Sequence, residues 1–405
     1  MSPPRWSLIA VSVVILATAC GAPTLRPCDK ASCEGCCAAD GQCEPGWLSS
    51  ACGVSGASCQ ACAPGALCQS GVCASPGTPG GAGGGRAATG GGSAARGGGC
   101  AATGGGAPGR VGCAGAAWVE PLPTTTSLGG LAYSAAAAQS YLLSALELRY
   151  PFGKSVVEGG LANPLSPSQS SCVRAFLRDT STATAVLRQA STVVHECGHF
   201  WDLGTSQGGR SNYVLAPGLT RACSRGDTTA RGGATFARSL IKADAFGPMR
   251  APCVTMSSSG CDFYAAVYLD GSPTNATFES GDQGFNSLLE EANQYVNSLA
   301  SALAFRDSFQ NTRVSERDGI LTFLWYLERY LLLARTTYPE AYATLSQDPC
   351  WREAILSVWD RAWFYLQATA PFASNLGISD ARLRTLVETP TLLAEVDALR
   401  ALQCP

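Results

Sequence analysis

The chain has 405 residues, enough for two or three folded units and a sizeable core. Lysine and arginine total 28 against 30 aspartate and glutamate, so a net charge of -2 offers no field for a nucleic-acid backbone, and nucleic acid is excluded as a partner. With 14% charged and 46% apolar residues it is neither a coiled coil nor a charged disordered tail, while 20 cysteines point to an oxidising compartment and hence to export.

Residues 1–19 read as a signal peptide: Arg5, an apolar run from Trp6 to Ala17 too short to cross a bilayer, then the small residues Ala17-Thr18-Ala19. Leu16-Ala-Thr-Ala-Cys20 resembles a bacterial lipobox, with its leucine one place further from the cysteine than usual. That resemblance implies an outer-membrane or cell-surface lipoprotein anchored through Cys20; without lipidation the protein is secreted. No later segment is expected to span a membrane, because the apolar stretch from Ile320 to Leu333 is interrupted by Glu328 and Arg329.

Residues 20–74 form a cysteine-rich module. Ten cysteines fall between Cys28 and Cys73, and Cys33-x2-Cys36 before Cys43-Glu-Pro-Gly echoes Cys59-x2-Cys62 before Cys68-Gln-Ser-Gly, as two copies of one small unit would. Aliphatic residues are too sparse there for a core, so disulfides must hold it; a pair of zinc ribbons is the competing reading. Residues 75–112, rich in Gly, Ala and Ser, form a flexible tether. Cys100 and Cys113 can close a loop at its end.

Residues 113–405 carry ordinary, mostly helical periodicity. Helical stretches are expected over Ser134 to Arg149, Ala183 to Leu203, Asn286 to Phe305, Arg317 to Thr337, Trp351 to Thr369 and Asp380 to Leu402, with a strand over Cys172 to Asp179. The aromatics Trp325, Tyr326, Tyr330, Trp351, Trp359, Trp363, Phe364 and Tyr365 recur at helical spacing and belong to a core. Cys253 and Cys261 bracket a short loop, Cys350 and Cys404 can join the last helices, and Cys197 is assigned as the one free thiol. Asn275-Ala-Thr277 is a glycosylation sequon by pattern only.

The chemistry is concentrated in Thr192-Val-Val-His195-Glu196-Cys-Gly-His199-Phe-Trp-Asp202, which contains H-E-x-x-H. Histidines four apart share one helix face and can both ligate one Zn2+, while Glu196, about 100° round, can reach a water beside the metal. Both histidines of the chain lie in this motif. On a helical wheel Val186, Ala190, Val193, Val194, Cys197 and Trp201 gather on one side, and His195, His199 and Asp202 on the other. One face packs and the other points into a cleft.

This segment resembles the active-site helix of zincin metallopeptidases. The metzincin pattern requires Gly and a third His where Asp202 and Thr205 stand, and the aspzincin pattern requires Asp where Gln207 stands. No histidine remains for a third ligand, which leaves the gluzincin arrangement, completed by a Glu from a downstream helix. Glu290 and Glu291 are the candidates. Phe285, Leu288, Leu289, Ala292, Val296, Leu299 and Leu303 form a buried stripe; Glu290 lies nearly opposite it, towards solvent, and Glu291 borders it beside Leu288 and Tyr295. Glu291 is therefore the chosen ligand and Glu290 the alternative. Glu291-Ala292 also resembles the Glu-Ala pair of thermolysin-like third-ligand helices, but Tyr295 stands four residues on, where those enzymes often place an Asp that orients a His. Asp202 is a substitute for that role.

The resemblance covers Thr192 to Asp202 and, more loosely, Asn286 to Asn297. It implies an α+β, predominantly helical zincin-like domain with a small sheet, separate from the cysteine-rich module. It also implies a zinc cofactor, a peptide or protein substrate, a water deprotonated by Glu196, attack on a carbonyl, and return of the proton to the leaving amine by Glu196. Tyr295 is the candidate oxyanion donor, with Tyr264 and Tyr268 as further possibilities. The rival readings are a catalytically inactive surface binding protein that keeps a structural zinc site, and a chain whose cysteine-rich module is the functional part.

Overall fold

The computed structural model describes parts of residues 28–74, then residues 118–165, 171–224, 235–253, 261–269, 283–309 and 314–403. The leader, Cys20, the tether, Cys100, Cys113, the sequon and Cys404 lie outside the described residues. The chain divides into two compact units, Met1–Gly99 and Cys100–Pro405.

The described residues of the first unit form two- and three-residue strands. β1 (Cys36–Cys37) pairs antiparallel with β2 (Cys43–Glu44) and parallel with β5 (Ala57–Ser58); β3 (Trp47–Leu48) pairs with β4 (Ala51–Cys52), and β6 (Leu67–Gln69) with β7 (Val72–Ala74). Elements this short cannot bury a core, and covalent links take its place: Cys28–Cys37, Cys36–Cys59 and Cys62–Cys73 are disulfides. The sulfurs of Cys52, Cys62 and Cys73 approach one another closely enough to hold an ion, yet all three are disulfide-bonded, which leaves no thiolate for a zinc ribbon there.

The second unit is helical with one hairpin. A 3-10 turn (Ala135–Ala137) leads into α1 (Ala138–Arg149), and Pro151, which cannot continue that helix, opens α2 (Pro151–Ala162) instead. The stretch expected as a strand is the short helix α3 (Cys172–Phe176). Cys172 and Phe176, and Val173 and Leu177, are spaced i to i+4, and Ser171 Oγ caps the turn by accepting from Arg174 N at 3.3 Å.

One long helix was expected over Ala183 to Leu203; instead α4 (Ala183–Arg188) and α5 (Ala190–Thr205) meet at Gln189. The Gln189 side chain accepts from Arg178 N and Asp179 N at 2.8 and 3.0 Å and donates to Asp179 O at 2.7 Å, so the junction is pinned to the preceding loop. The hairpin of β8 (Arg210–Ala216) and β9 (Leu219–Ser224) follows, turning at Pro217-Gly218, where Gly218 has φ +73° and only glycine is unstrained.

The remaining helices are α6 (Ala265–Tyr268), α7 (Phe285–Ala304), α8 (Glu316–Thr337), α9 (Pro339–Gln347), α10 (Pro349–Ala368), α11 (Ala373–Leu376), α12 (Asp380–Val387) and α13 (Pro390–Gln403). The last expected helix is split at Thr389-Pro390, since a proline N–H cannot join the ladder. α5 lies between α2 and α7, and α8 packs on α7. Trp325, Tyr326, Tyr330, Trp351, Trp359 and Tyr365 are buried in this core, as their spacing foretells. No helix among the described residues is long and apolar enough to cross a membrane.

Disulfides fasten the frame around α5. Cys197 is not free: it is fully buried and bonded to Cys172, tying α3 to α5. Cys350 pairs with Cys223 rather than with Cys404, fixing α10 to the hairpin, and Cys253 pairs with Cys261. Six disulfides among the described residues fit an oxidising environment outside the cytosol.

Candidate metal centre

Small residues let three helices close on the motif. A Cβ on Gly160 of α2 would stand 2.3 Å from Cys197 O, and a Cβ on Gly198 of α5 would stand 1.9 Å from Gln294 Oε1 on α7. The glycine inside H-E-x-x-H thus permits the close approach of α7, which carries both candidate glutamates.

The two imidazoles point the same way. Glu291 Oε2 lies 3.5 Å from His195 Nε2 and 3.6 Å from His199 Nε2, and the three ligand atoms all fall within 4.8 Å of one another. Glu291 Oε2 is buried and has no hydrogen-bond partner. A desolvated carboxylate oxygen facing two ring nitrogens is costly unless something positive completes it, and two imidazoles with one carboxylate are a donor set that suits a divalent cation. The residues therefore fit a metal.

The second nitrogen of each ring is also held. Glu290, expected to face solvent, is buried, and its two oxygens lie 2.8 and 2.7 Å from His199 Nδ1. Ser298 Oγ lies 3.1 Å from His195 Nδ1. These contacts leave both Nε2 atoms for the cation. Glu290 is thus not an alternative ligand but the group that orients His199. Asp202, proposed for that role, touches neither ring; it accepts from Val214 N at 2.8 Å, from Gln294 Nε2 at 2.8 Å and from Asn293 Nδ2 at 3.3 Å. Gln294 Nε2 also donates to Glu290 Oε1 at 3.1 Å, so Gln294 links Asp202 by hydrogen bonds to the group that holds His199.

Electrostatics follow this geometry. Burial alone would lower the His199 pKa, but Glu290, Glu291 and Glu196 outweigh it and lift the imidazolium well above its ordinary range. Burial would raise the Glu291 carboxyl, yet His199, His195 and the buried Arg238 together hold it below its usual value. Burial, with Glu290 nearby, pushes Asp202 well up. Glu196 is half-buried, electrostatically close to His199 and Tyr268.

Tyr295 forms one wall: its ring meets the His195 ring edge-on at 4.7 Å, and its hydroxyl lies 3.1 Å from the Tyr268 hydroxyl. Tyr264 packs edge-on against Tyr295 at 5.6 Å. Burial raises the pKa of both Tyr268 and Tyr295 well above the phenol range, so both keep their protons to donate.

The chain has no significant match among protein-family models, curated proteins or solved structures. Sequence reasoning brought His195, Glu196, His199, Glu291 and Tyr295 to one place, and the fold does the same. It missed Ser298, Gln294, Arg238 and the orienting role of Glu290. Ser298 and Gln294 carry a signal in hindsight, since a helix whose polar residues interrupt an otherwise buried surface must satisfy them against a neighbour.

Proposed function

We propose that the second unit is a zinc-dependent peptidase of gluzincin type, exported with its cysteine-rich module and anchored through Cys20 or secreted. The observation that carries this reading is the orphaned, buried Oε2 of Glu291 facing both His Nε2 atoms from a second helix. His195, His199 and Glu291 would hold the ion. Zinc there supplies Lewis acidity, which polarises a carbonyl and acidifies water.

The chain's own groups divide the rest of the work. Glu196, next to His195 and half-buried, takes a proton from water and returns it to the departing amine nitrogen. Tyr295 and Tyr268, protonated and hydrogen-bonded to each other, are placed to donate to the oxygen that gains charge. Glu290 and Ser298 keep the rings in register.

Glu196→Gln tests the reading. The variant should retain metal at the wild-type level and lose hydrolysis of a generic peptide library by at least about 100-fold, the lower end of what a general base contributes. Equal cleavage by both forms would remove the peptidase assignment and leave a zinc-binding surface protein.

A further inference from the structure

The carboxylate that orients His199 is itself held by an amide that can face two ways. Gln294 Nε2 donates to Glu290 Oε1 at 3.1 Å and to Asp202 Oδ2 at 2.8 Å, while Gln294 Oε1 accepts from Asn297 Nδ2 at 2.9 Å. A half-turn of that amide would set oxygen against both carboxylates and nitrogen against the Asn297 nitrogen. The face that Gln294 presents to Glu290 therefore depends on Asn297.

Asn297 takes its own direction from Arg361. A guanidinium offers only N–H groups, so Arg361 Nη1, 2.7 Å away, requires Oδ1 at that end of the Asn297 amide and turns Nδ2 towards Gln294. Arg361 is fixed in turn. Glu120 accepts from its Nε at 2.8 Å and from its Nη2 at 3.1 Å, and the Tyr150 hydroxyl accepts from Nη2 at 2.9 Å. Arg361, Asn297, Gln294 and Glu290 are all buried, where an acceptor facing an acceptor is costly. Each bond from Arg361 to Glu290 thus runs in the same sense, and Glu290 ends the series 2.7 to 2.8 Å from His199 Nδ1.

We infer that Asn297 is a positioning residue of the metal centre: by aiming the Gln294 N–H at Glu290 it keeps Glu290 on His199 Nδ1, and so sets how tightly zinc is held. The effect on zinc rests on the metal-binding part of the proposed function and needs no peptide hydrolysis.

Asn297→Asp tests this in the full-length chain. The substitution keeps the shape and still accepts from Arg361, but it turns oxygen on Gln294 Oε1, so Gln294 must either meet oxygen with oxygen or turn over and release Glu290. The added negative charge by itself would hold a cation more tightly, so orientation and charge predict opposite signs. Competition with a chromophoric chelator at about pH 8, where a carboxylate beside a guanidinium is ionised, should show zinc affinity lowered about 10-fold, the low end of what loss of an orienting partner costs. In a Glu290→Gln background the same substitution should cost less than about 2-fold more, because the series ends at Glu290. Unchanged or raised affinity, or losses that simply multiply in the double variant, overturns the inference. Both histidines of the chain lie in the motif, so isotopically labelled histidine gives ring signals from this site alone in heteronuclear NMR. The Nδ1–H signal of His199 in the metal-free chain should shift or vanish in Asn297→Asp, and an unchanged signal counts against the inference. If the wild-type chain takes up no zinc, the metal reading fails and that signal still decides the role of Asn297. Should Asn297→Asp not fold, Asn297→Leu takes its place: it leaves nothing to fix the Gln294 amide, and an undiminished zinc affinity would again be decisive against.

Discussion

Replacing Glu291 and Glu290 one at a time should separate a metal ligand from the group that aims one. Glu291→Ala removes one of the three donor atoms that converge among the described residues, leaving His195 and His199 of that set. Glu290→Gln leaves all three in place but takes away the charge that sits 2.7 to 2.8 Å from His199 Nδ1. Loss of an orienting partner of this kind weakens metal binding on the order of 10- to 100-fold, or about 1.4 to 2.7 kcal/mol. The glutamine can still accept one hydrogen bond from Nδ1, which favours the lower end. Zinc per chain after dialysis, measured by plasma mass spectrometry, should fall near zero for Glu291→Ala and stay near one for Glu290→Gln. Competition with a chromophoric chelator then gives the smaller loss for Glu290→Gln, with circular dichroism checking that both variants fold. The reasoning is wrong if Glu291→Ala keeps a full equivalent of zinc, or if Glu290→Gln is the variant that loses it.

Gly198→Ala should destabilise by about 1–3 kcal/mol despite the better helix propensity of alanine, because Gln294 is pinned by Asp202, Glu290 and Asn297 and cannot retreat; an equally stable variant in urea denaturation would refute the close approach. Glu328, fully buried on α8 with neither oxygen hydrogen-bonded, has its carboxyl pushed up to about 10 by burial. The folded chain therefore keeps a proton that the unfolded chain releases near pH 4.3, so this group's contribution is intact below that pH and is lost as pH rises towards 10. Glu328→Gln should gain on the wild type by roughly 3 kcal/mol between pH 4 and pH 7 in denaturant midpoints, and a pH-independent difference would count against the argument. Removing the Cys172–Cys197 bridge with a double alanine substitution should cost about 3 kcal/mol, the loop entropy of 25 residues, read as a lower thermal midpoint.

The long helices were legible because their apolar residues recur at helical period and their ends carry ordinary signals. Arg317 to Thr337 and Asn286 to Phe305 match α8 and α7 to within a residue or two. Pro390, which splits the last helix, was a local signal overlooked; the other failures involve contacts that residue spacing does not show. Gln189, where the helix breaks, has its side chain bound by Arg178 N and Asp179 N, and Cys172 sits in a helical turn that a disulfide fastens to α5. Cysteine partners are invisible to periodicity, so Cys197 and Cys350 were misassigned although Cys197 was rightly placed on the packed face.

The wheel on α7 failed in a more instructive way. It assumed one buried face and one wet face, which holds for a helix at the surface. α7 instead packs against α5 on one side and α8 and α10 on others, so Glu290, Asn293, Gln294, Asn297 and Ser298 are all buried. A residue opposite the apolar stripe of such a helix enters a second interface rather than solvent, and a charge there must find a partner. His199 Nδ1 is that partner for Glu290. Asn297 is in turn held by Arg361 Nη1 at 2.7 Å, and Arg361 Nε by Glu120 at 2.8 Å. The polar residues that spoil the wheel are therefore the ones that join the metal helix to its supports. Where a long helix carries asparagine, glutamine and glutamate among small apolar residues with no lysine or arginine, the better reading from sequence is a helix buried all round with an internal polar network.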